Sequence, residues 1–508
     1  MQLLEHVPTD PEGVIWDAVV VGTGAGGAAA GFNLARLGRS VLFVERGSLF
    51  DYDSATGEPT LIDDFLGKVT SNCGPYGPDG NPEEVNTRPV LSVGRGLGGT
   101  TTSFAMVMDR FRPVDLRPKL YAQAPMSTSL PEEWPIDYED LEPYYREAEL
   151  LFRVRGTDDP LAPTRCALLD PPPPSDTEHA VQQRLAECGL HPYRLHYARE
   201  YAPGCDGCVK KRCTRSCRND AGRICVVPAL RDHGAHILPN CLVTRLDTSG
   251  RKASQAICVW NDRRVVLRAK VFVLALNALL TPALLLRSAN ETFPDGLGNR
   301  SGMVGRNLMM HVSDLMSVRF EGLSGKLNGT FHHGLSLNDF YIKDGAKLGN
   351  IHAHAIDFSH LVSGFDSGTD SAGAVWFSTI VEDFPYPENR VMPTPGSPHG
   401  VYWEYRYPKD LLSRSRMLCE AFADALRPTC EVSLREPLGT LNSSHTCGTC
   451  RFGDDPRSSV LDRNNRIHDL DNVYVVDASF FPSSGGINPS LTIVANSLRA
   501  SSVIAAQH

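Results

Sequence analysis

The chain has 508 residues, 42% hydrophobic and 21% charged, with 50 Lys+Arg against 59 Asp+Glu and a net charge of −9. That length exceeds one compact core, so two domains or one large composite domain are expected, and the composition excludes disordered, collagen-like and coiled-coil classes. The acidic balance argues against a nucleic-acid binder.

The first residues, Met1 to His6, carry no basic segment and no apolar run, so no signal peptide is expected. The longest apolar stretch, 271–286, is interrupted by Asn277, Thr281 and Pro282 and falls short of the ~20 residues a membrane span needs. It reads as a buried strand followed by a helix start. A cytoplasmic location with no transmembrane segment is the expectation. In a reducing compartment the fourteen cysteines read as thiols or metal ligands, not as a disulfide framework.

Residues 15–21 predict a short buried strand, 28–35 a helix and 40–44 a second strand ending at Glu45. Between the first strand and the helix lie Gly22, Gly24 and Gly27, the Gly-x-Gly-x-x-Gly spacing in the context that makes it a dinucleotide site. Gly22 permits the tight turn, Gly24 lets backbone amides approach a pyrophosphate, and Gly27 lets helix and strand pack closely. The helix N-terminus favours the phosphates. Glu45 stands where an acid accepts hydrogen bonds from ribose hydroxyls. This stretch alone does not separate FAD from NAD. A second glycine cluster, Gly94 to Thr102, follows a short strand at 90–93 and reads as a loop whose backbone lies against a flat ligand.

Further along, 132–145 is an acidic, aromatic stretch leading into a helix, whose Glu147 and Glu149 read as a solvated face. Pro171 to Pro174 mark a stiff loop or domain edge. Cys205, Cys208, Cys213 and Cys217 fall within one short stretch interleaved with Lys210, Lys211, Arg212 and Arg215, and Cys225 follows. Such spacing lets one loop present thiolates to an iron–sulfur cluster or to zinc; disulfides or free thiols are the other reading. Segments 375–380 and 400–405 read as strands, and their Trp376, Tyr402, Trp403 and Tyr405 either stack on a sugar face or fill the core. Near the C-terminus come His445 with Gly448, Thr449, Cys450 and Arg451, then a strand ending at Asp477, then Asn488 and Pro489 opening a helix. Cys447 and Cys450 form another Cys-x-x-Cys, outside any thioredoxin-like context.

In that order these segments, together with 274–282, 301–311 and 389–391, resemble the glucose–methanol–choline (GMC) family of flavin oxidoreductases over nearly the whole chain. The resemblance implies an α/β Rossmann-like FAD-binding domain with the GMC fold and a second, α+β substrate domain built on an antiparallel sheet. The FAD-binding segments would be 12–111, 200–311 and 436–508, and the substrate segments 112–199 and 312–435. The implied FAD contacts are Gly22, Thr23, Gly24, Gly27, Glu45, Arg46, Arg95, Gly98, Gly99, Thr100, Val243, Asp477, Asn488 and Pro489. FAD would be non-covalent, because Ser103 stands where covalent members carry His. Two departures from the family pattern are Phe104 in place of Asn and Asn277 in place of Gly.

The implied reaction is alcohol oxidation. His445 takes the hydroxyl proton while hydride moves to flavin N5, and Asn488 occupies the position of the second active-site His or Asn. The small-molecule alcohol is read as a sugar, aminosugar glycoside or polyol, with O2, a quinone or a redox protein as acceptor. The aminosugar version rests on acidity, on Glu404 and on resemblance to the alcohol-oxidising enzymes of aminoglycoside biosynthesis. Two alternatives remain: an FAD-containing lyase of the hydroxynitrile type, and an iron–sulfur flavoprotein subunit needing an acceptor partner. The Cys205–Cys217 cluster resembles the cysteine-ligated iron–sulfur centres of some bacterial GMC dehydrogenases.

Overall fold

A computed structural model describes residues 2–49, 61–70, 90–121, 125–201, 217–323, 333–353, 374–435 and 438–508. The first strand, Ile15–Val21, pairs in parallel with Val41–Val44 on one side and with the long strand Arg263–Leu274 on the other. His236–Leu238 extends this sheet beyond Val41–Val44, and Val473–Val475 pairs in parallel with Phe272 to Leu274. Strands paired in parallel and covered on both faces are continuous apolar runs, and Val19, Val20, Val41, Leu42, Phe43, Val271 and Phe272 are fully buried. The first half of Arg263–Leu274 leaves the parallel part and pairs antiparallel with Lys252–Trp260, which pairs in turn with Cys241–Ser249.

Two helices lie against one another beside this sheet, Ala25–Arg36 and the C-terminal Ser490–Gln507. The first is rich in Gly and Ala, which allows close approach. Asn33 crosses the contact, its Nδ2 donating to Leu498 O at 3.2 Å and to Ser501 Oγ at 2.8 Å. One buried amide thereby has its hydrogen bonds satisfied between two apolar helices.

Among the described residues the second large sheet has eight strands, and all its pairings are antiparallel. Its central run is Cys430–Leu434, Leu315–Phe320, Val375–Val381, Gly349–Ala353 and Leu335–Leu337. Side chains alternate across it, as strand geometry requires. Phe377 faces the helix Lys409–Leu426, its ring centroid 4.9 Å from that of Phe422. Its neighbours Ser378 and Ile380 face the central cavity. Met309–Val312 pairs with both Val375–Val381 and Leu441–Cys447, carrying the sheet toward the parallel one.

One reading of the middle segments changes in three dimensions, and one open alternative is resolved. Glu149, read as solvated, is fully buried, and both its oxygens accept from Arg110, at 2.6 and 2.7 Å. The helix Tyr138–Leu151 packs that side of itself inward, and the bidentate guanidinium compensates the buried charge. Glu147 pairs with Arg36. Trp403 and Tyr405 are 1% exposed and fill the core, Trp376 is buried, and Tyr402 is at the surface; none of the four lines the cavity.

Candidate active site

The C-terminal edge of the parallel strands opens on a cavity of about 660 Å³, within the range of cofactor and small-ligand sites. Its floor is the turn after Ile15–Val21. Gly22 has φ +98°, and a Cβ there would lie 2.4 Å from Ala275 O, so only glycine fits. At Gly27 a Cβ would strike Gly22 O at 2.1 Å, the close helix–strand approach expected of that position. A Cβ at Gly24 would meet no neighbour within 4 Å, and Gly24 lines the cavity. The N-termini of Ala25–Arg36 and Ser490–Gln507 both line the same cavity. Two helix N-termini facing one space make it favourable for anionic groups.

Of the expected FAD contacts, Gly22, Thr23, Gly24, Glu45, Arg46, Gly99, Thr100, Val243, Asp477, Asn488 and Pro489 line this cavity. Gly27, Arg95 and Gly98 do not, and stand behind the lining as supports. Gly98 N donates to Thr23 Oγ1 at 3.3 Å, and Arg95 ends the strand Val90–Arg95. Glu45 is tied up more than expected. Its Oε2 accepts from Thr23 N and Oγ1, at 3.2 and 2.7 Å, and its Oε1 from Gly47 N and Gly96 N, at 2.9 and 3.0 Å. The carboxylate therefore joins the two glycine loops. Asp477 accepts from Asn277 N, Thr281 Oγ1 and Ser479 N, and burial pushes its carboxyl up.

Asn277, where the family pattern has glycine, has φ +89°. Asn tolerates that region better than other side chains. Its Oδ1 also accepts from Leu279 N at 2.8 Å and Leu280 N at 3.2 Å, capping the helix Leu280–Arg287. The motif Gly448 to Arg451 is a clamp. Thr449 Oγ1 donates to Ala278 O at 2.7 Å, and Arg451 Nη1 to Ser129 O at 2.7 Å.

His445 reaches the cavity through an irregularity in the second sheet. Met309 pairs with Cys447 and His311 with Asn442. Met310 alone lies between Met309 and His311, whereas Ser443, Ser444, His445 and Thr446 lie between Asn442 and Cys447. The longer side bulges out, and all four of its residues line the cavity. His445 Nε2 is 3.5 Å from Asn488 Nδ2, and its Nδ1 is 3.0 Å from His311 Nδ1. Burial, then the neighbouring His311, pushes the His445 imidazole well below its ordinary value. His311 is fully buried and pushed down to about 4 by that burial. Its role had no signal in the sequence beyond closing the segment 301–311. Asn488 Oδ1 is buried and has no hydrogen-bond partner among the described residues, and Asn488 lines the cavity; it is the kind of orphaned acceptor a bound cofactor or substrate would satisfy.

Other expected site residues fall elsewhere. Cys205, Cys208 and Cys213 lie outside the described residues. Cys217 is buried, and no group of His, Cys, Asp or Glu among the described residues could hold a metal ion. Cys447 and Cys450 form no disulfide, and burial pushes both thiols well up, away from the thiolate a dithiol centre needs. Glu404 is not at the cavity; it pairs with Arg390 at 2.7 Å. Among the described residues no helix is long and apolar enough to cross a membrane.

Family profiles described as GMC oxidoreductase match residues 132–313 and 405–497, more than half of the chain. The chain belongs to the GMC oxidoreductase family. It is 30% identical to 6'''-hydroxyparomomycin C oxidase of Streptomyces lividus and 29% to paromamine 6'-oxidase of Streptomyces fradiae, each over 97% of this chain and 91% of the relative. It is also 28% identical to the fructose dehydrogenase large subunit of Gluconobacter japonicus, over 96% of this chain and 97% of the relative. Its fold matches the crystal structure of a pyridoxine 4-oxidase with a TM-score of 0.69 at 20% identity, covering 97% of this chain and all of that one. The family binds FAD, and this GMC protein presents a cavity with two helix N-termini, an open glycine and an orphaned amide oxygen, which fits such a group.

Proposed function

We propose that this protein oxidises a primary or secondary alcohol of a polyhydroxylated small molecule to the carbonyl, with Nε2 of His445 taking the hydroxyl proton. The observation that carries this reading is the His445 imidazole at the cavity wall, its Nε2 3.5 Å from Asn488 Nδ2, in surroundings that push it well below its ordinary value. A neutral ring can accept a proton at working pH. An alcohol oxygen between the two side chains gives its proton to Nε2 and accepts from Asn488 Nδ2. FAD, when bound, supplies the acceptor for the hydride that leaves the carbinol carbon. Gly22, Thr23, Gly24, Thr100, Asp477 and Pro489 are among the lining residues that would hold it. The segments 12–111, 200–311 and 436–508 would form its domain.

Beyond His445 the lining is rich in hydroxyls and amides, including Ser313, Ser378, Thr440, Asn442 and Ser444. Such groups suit a sugar, aminosugar glycoside or polyol. The two Streptomyces relatives favour the aminosugar glycoside. Against it, the only carboxylates among the described lining residues are Glu45 and Asp477, both engaged by this chain's own amides and hydroxyls. Anaerobic addition of neutral sugars, polyols and aminosugar glycosides to the FAD-loaded protein decides the class by which of them bleach the flavin. If none does and a hydroxynitrile is cleaved instead, the oxidase reading fails in favour of the lyase. Iron, zinc and labile-sulfide analysis of the same preparation tests the metal reading of the cysteine cluster. A metal-free protein would leave FAD as the only cofactor.

A further inference from the structure

Behind His445 stands a second imidazole whose surroundings determine which of its nitrogens carries hydrogen. His311 Nε2 faces two backbone carbonyl oxygens, Gly485 O at 2.8 Å and Ser484 O at 3.2 Å. A nitrogen between two acceptors carries the proton. The ring is fully buried, and no carboxylate among the described residues is bonded to it. Desolvation of the charged form pushes its pKa down to about 4, so it is neutral and its Nδ1 is bare. That bare nitrogen lies 3.0 Å from His445 Nδ1, with the two rings edge to face at 88°. Two nitrogens at that distance share one hydrogen, and only His445 is left to supply it. His445 Nδ1 is therefore protonated, and in a neutral ring its Nε2 holds the lone pair.

We propose that His311 is a positioning residue that sets the tautomer of His445, so that the lone pair of Nε2 faces the cavity. This rests on the reading of His445 as the base. The carbonyls that start the chain are themselves fixed. Gly485 N donates to Glu382 Oε1 at 3.2 Å, and Glu382 pairs with the fully buried Lys347 at 2.8 Å. Gly486 N donates to Tyr341 Oη at 3.0 Å, and Ser484 Oγ to Asp383 O at 2.9 Å. The loop cannot rotate its carbonyls away without breaking these buried contacts. A single order of donors runs from His445 through His311 to the backbone, and the reverse order would leave His311 Nε2 bare against two oxygens. Unlike a carboxylate partner, a neutral imidazole orients the base without charging it.

The test is nitrogen NMR of the FAD-loaded protein labelled with ¹⁵N-histidine, with the His445 signals assigned by their loss in His445→Ala. The wild type should show His445 with a protonated Nδ1 and a bare Nε2. In His311→Phe, which removes the acceptor but keeps a ring, the proton should move to Nε2, the site free imidazole prefers. Anaerobic flavin reduction should fall about tenfold or more, in the rate at saturating substrate more than in substrate affinity. His311→Gln, whose amide oxygen can accept from Nδ1, should restore much of both. A bare Nδ1 on wild-type His445, or an unchanged tautomer in His311→Phe, overturns the proposal. The wild-type spectrum decides the matter even if both variants fail to fold. If the tautomer is as stated but His445→Ala reduces flavin at the wild-type rate, it is the base reading that fails.

Discussion

Among the described residues, two histidine clusters differ in what surrounds them, and their imidazoles are pushed in opposite directions. In one, His445 and His311 touch each other and two carbonyls, and burial pushes both rings down. In the other, His196 Nδ1 lies 2.8 Å from Asp109 Oδ1, and His352 Nε2 lies 3.5 Å from Asp109 Oδ2. Burial alone would lower His196 and raise Asp109. The attraction between them reverses both, so the ring is held above its ordinary value and the carboxyl far below. His196 also meets Thr157 O at 2.9 Å through Nε2, so both its nitrogens face acceptors. A ring held toward its protonated form, with a carboxylate at one nitrogen and a carbonyl at the other, serves as an internal brace. A neutral ring with one nitrogen facing open space is equipped for proton transfer. What separates the roles is the carboxylate, not the burial.

The comparison breaks most directly at His445. His445→Ala should slow anaerobic flavin reduction by about 10²–10⁴-fold with FAD retained, and stopped-flow rates equal to wild type would remove the distinction. Asp109→Ala leaves a buried histidine without its counter-charge, and should lower unfolding stability by about 3–5 kcal/mol. Chemical denaturation measures it, and a shift within error would mean that the second cluster is no brace. Gly22→Ala forces a side chain into a left-handed turn against Ala275 O. It should cost about 1–3 kcal/mol and weaken FAD uptake, which flavin fluorescence during titration reads.

The smallest effect sharpens the contrast through pH. A lowered pKa means the folded protein refuses protons that the unfolded chain accepts. The His445–His311 pair should therefore subtract stability as pH falls below the ordinary histidine value of 6.5. His196 has the opposite sign: its contribution is complete below 6.5 and is lost as pH rises through its raised value. Denaturation of wild type and His311→Phe across that range should show the acid-side loss shrinking in the variant. In the same window the flavin-reduction rate of the wild type should stay level below pH 6.5, and an acid limb centred at the ordinary value would contradict the assigned environment.

Local patterns carried the parallel sheet and its glycine turn into view from sequence. Strand 15–21 matches Ile15–Val21, and the run 271–286 resolves into the end of Arg263–Leu274 and the helix Leu280–Arg287. Gly22 and Gly27 were readable because each answers a nearby backbone demand. Glu149 was misread because its partner Arg110 is remote in sequence and nothing local marks that side of the helix as buried. The aromatics of Val401–Arg406 split between core and surface by strand alternation, which composition alone does not orient toward a ligand. His311 was invisible as a functional residue because its role exists only through a cross-strand register and a carbonyl turn more than 170 positions away.

The bulge that delivers His445 also isolates it. The hydrogen-bond ladder stops at Asn442 and resumes at Cys447, so Ser443, Ser444 and Thr446 contribute to the cavity wall without taking part in strand pairing. Exchanging those three residues alters what the wall offers to an incoming molecule while the neighbouring strands keep their alignment. Such a segment is a natural cassette for altering substrate selectivity, by drift or by design.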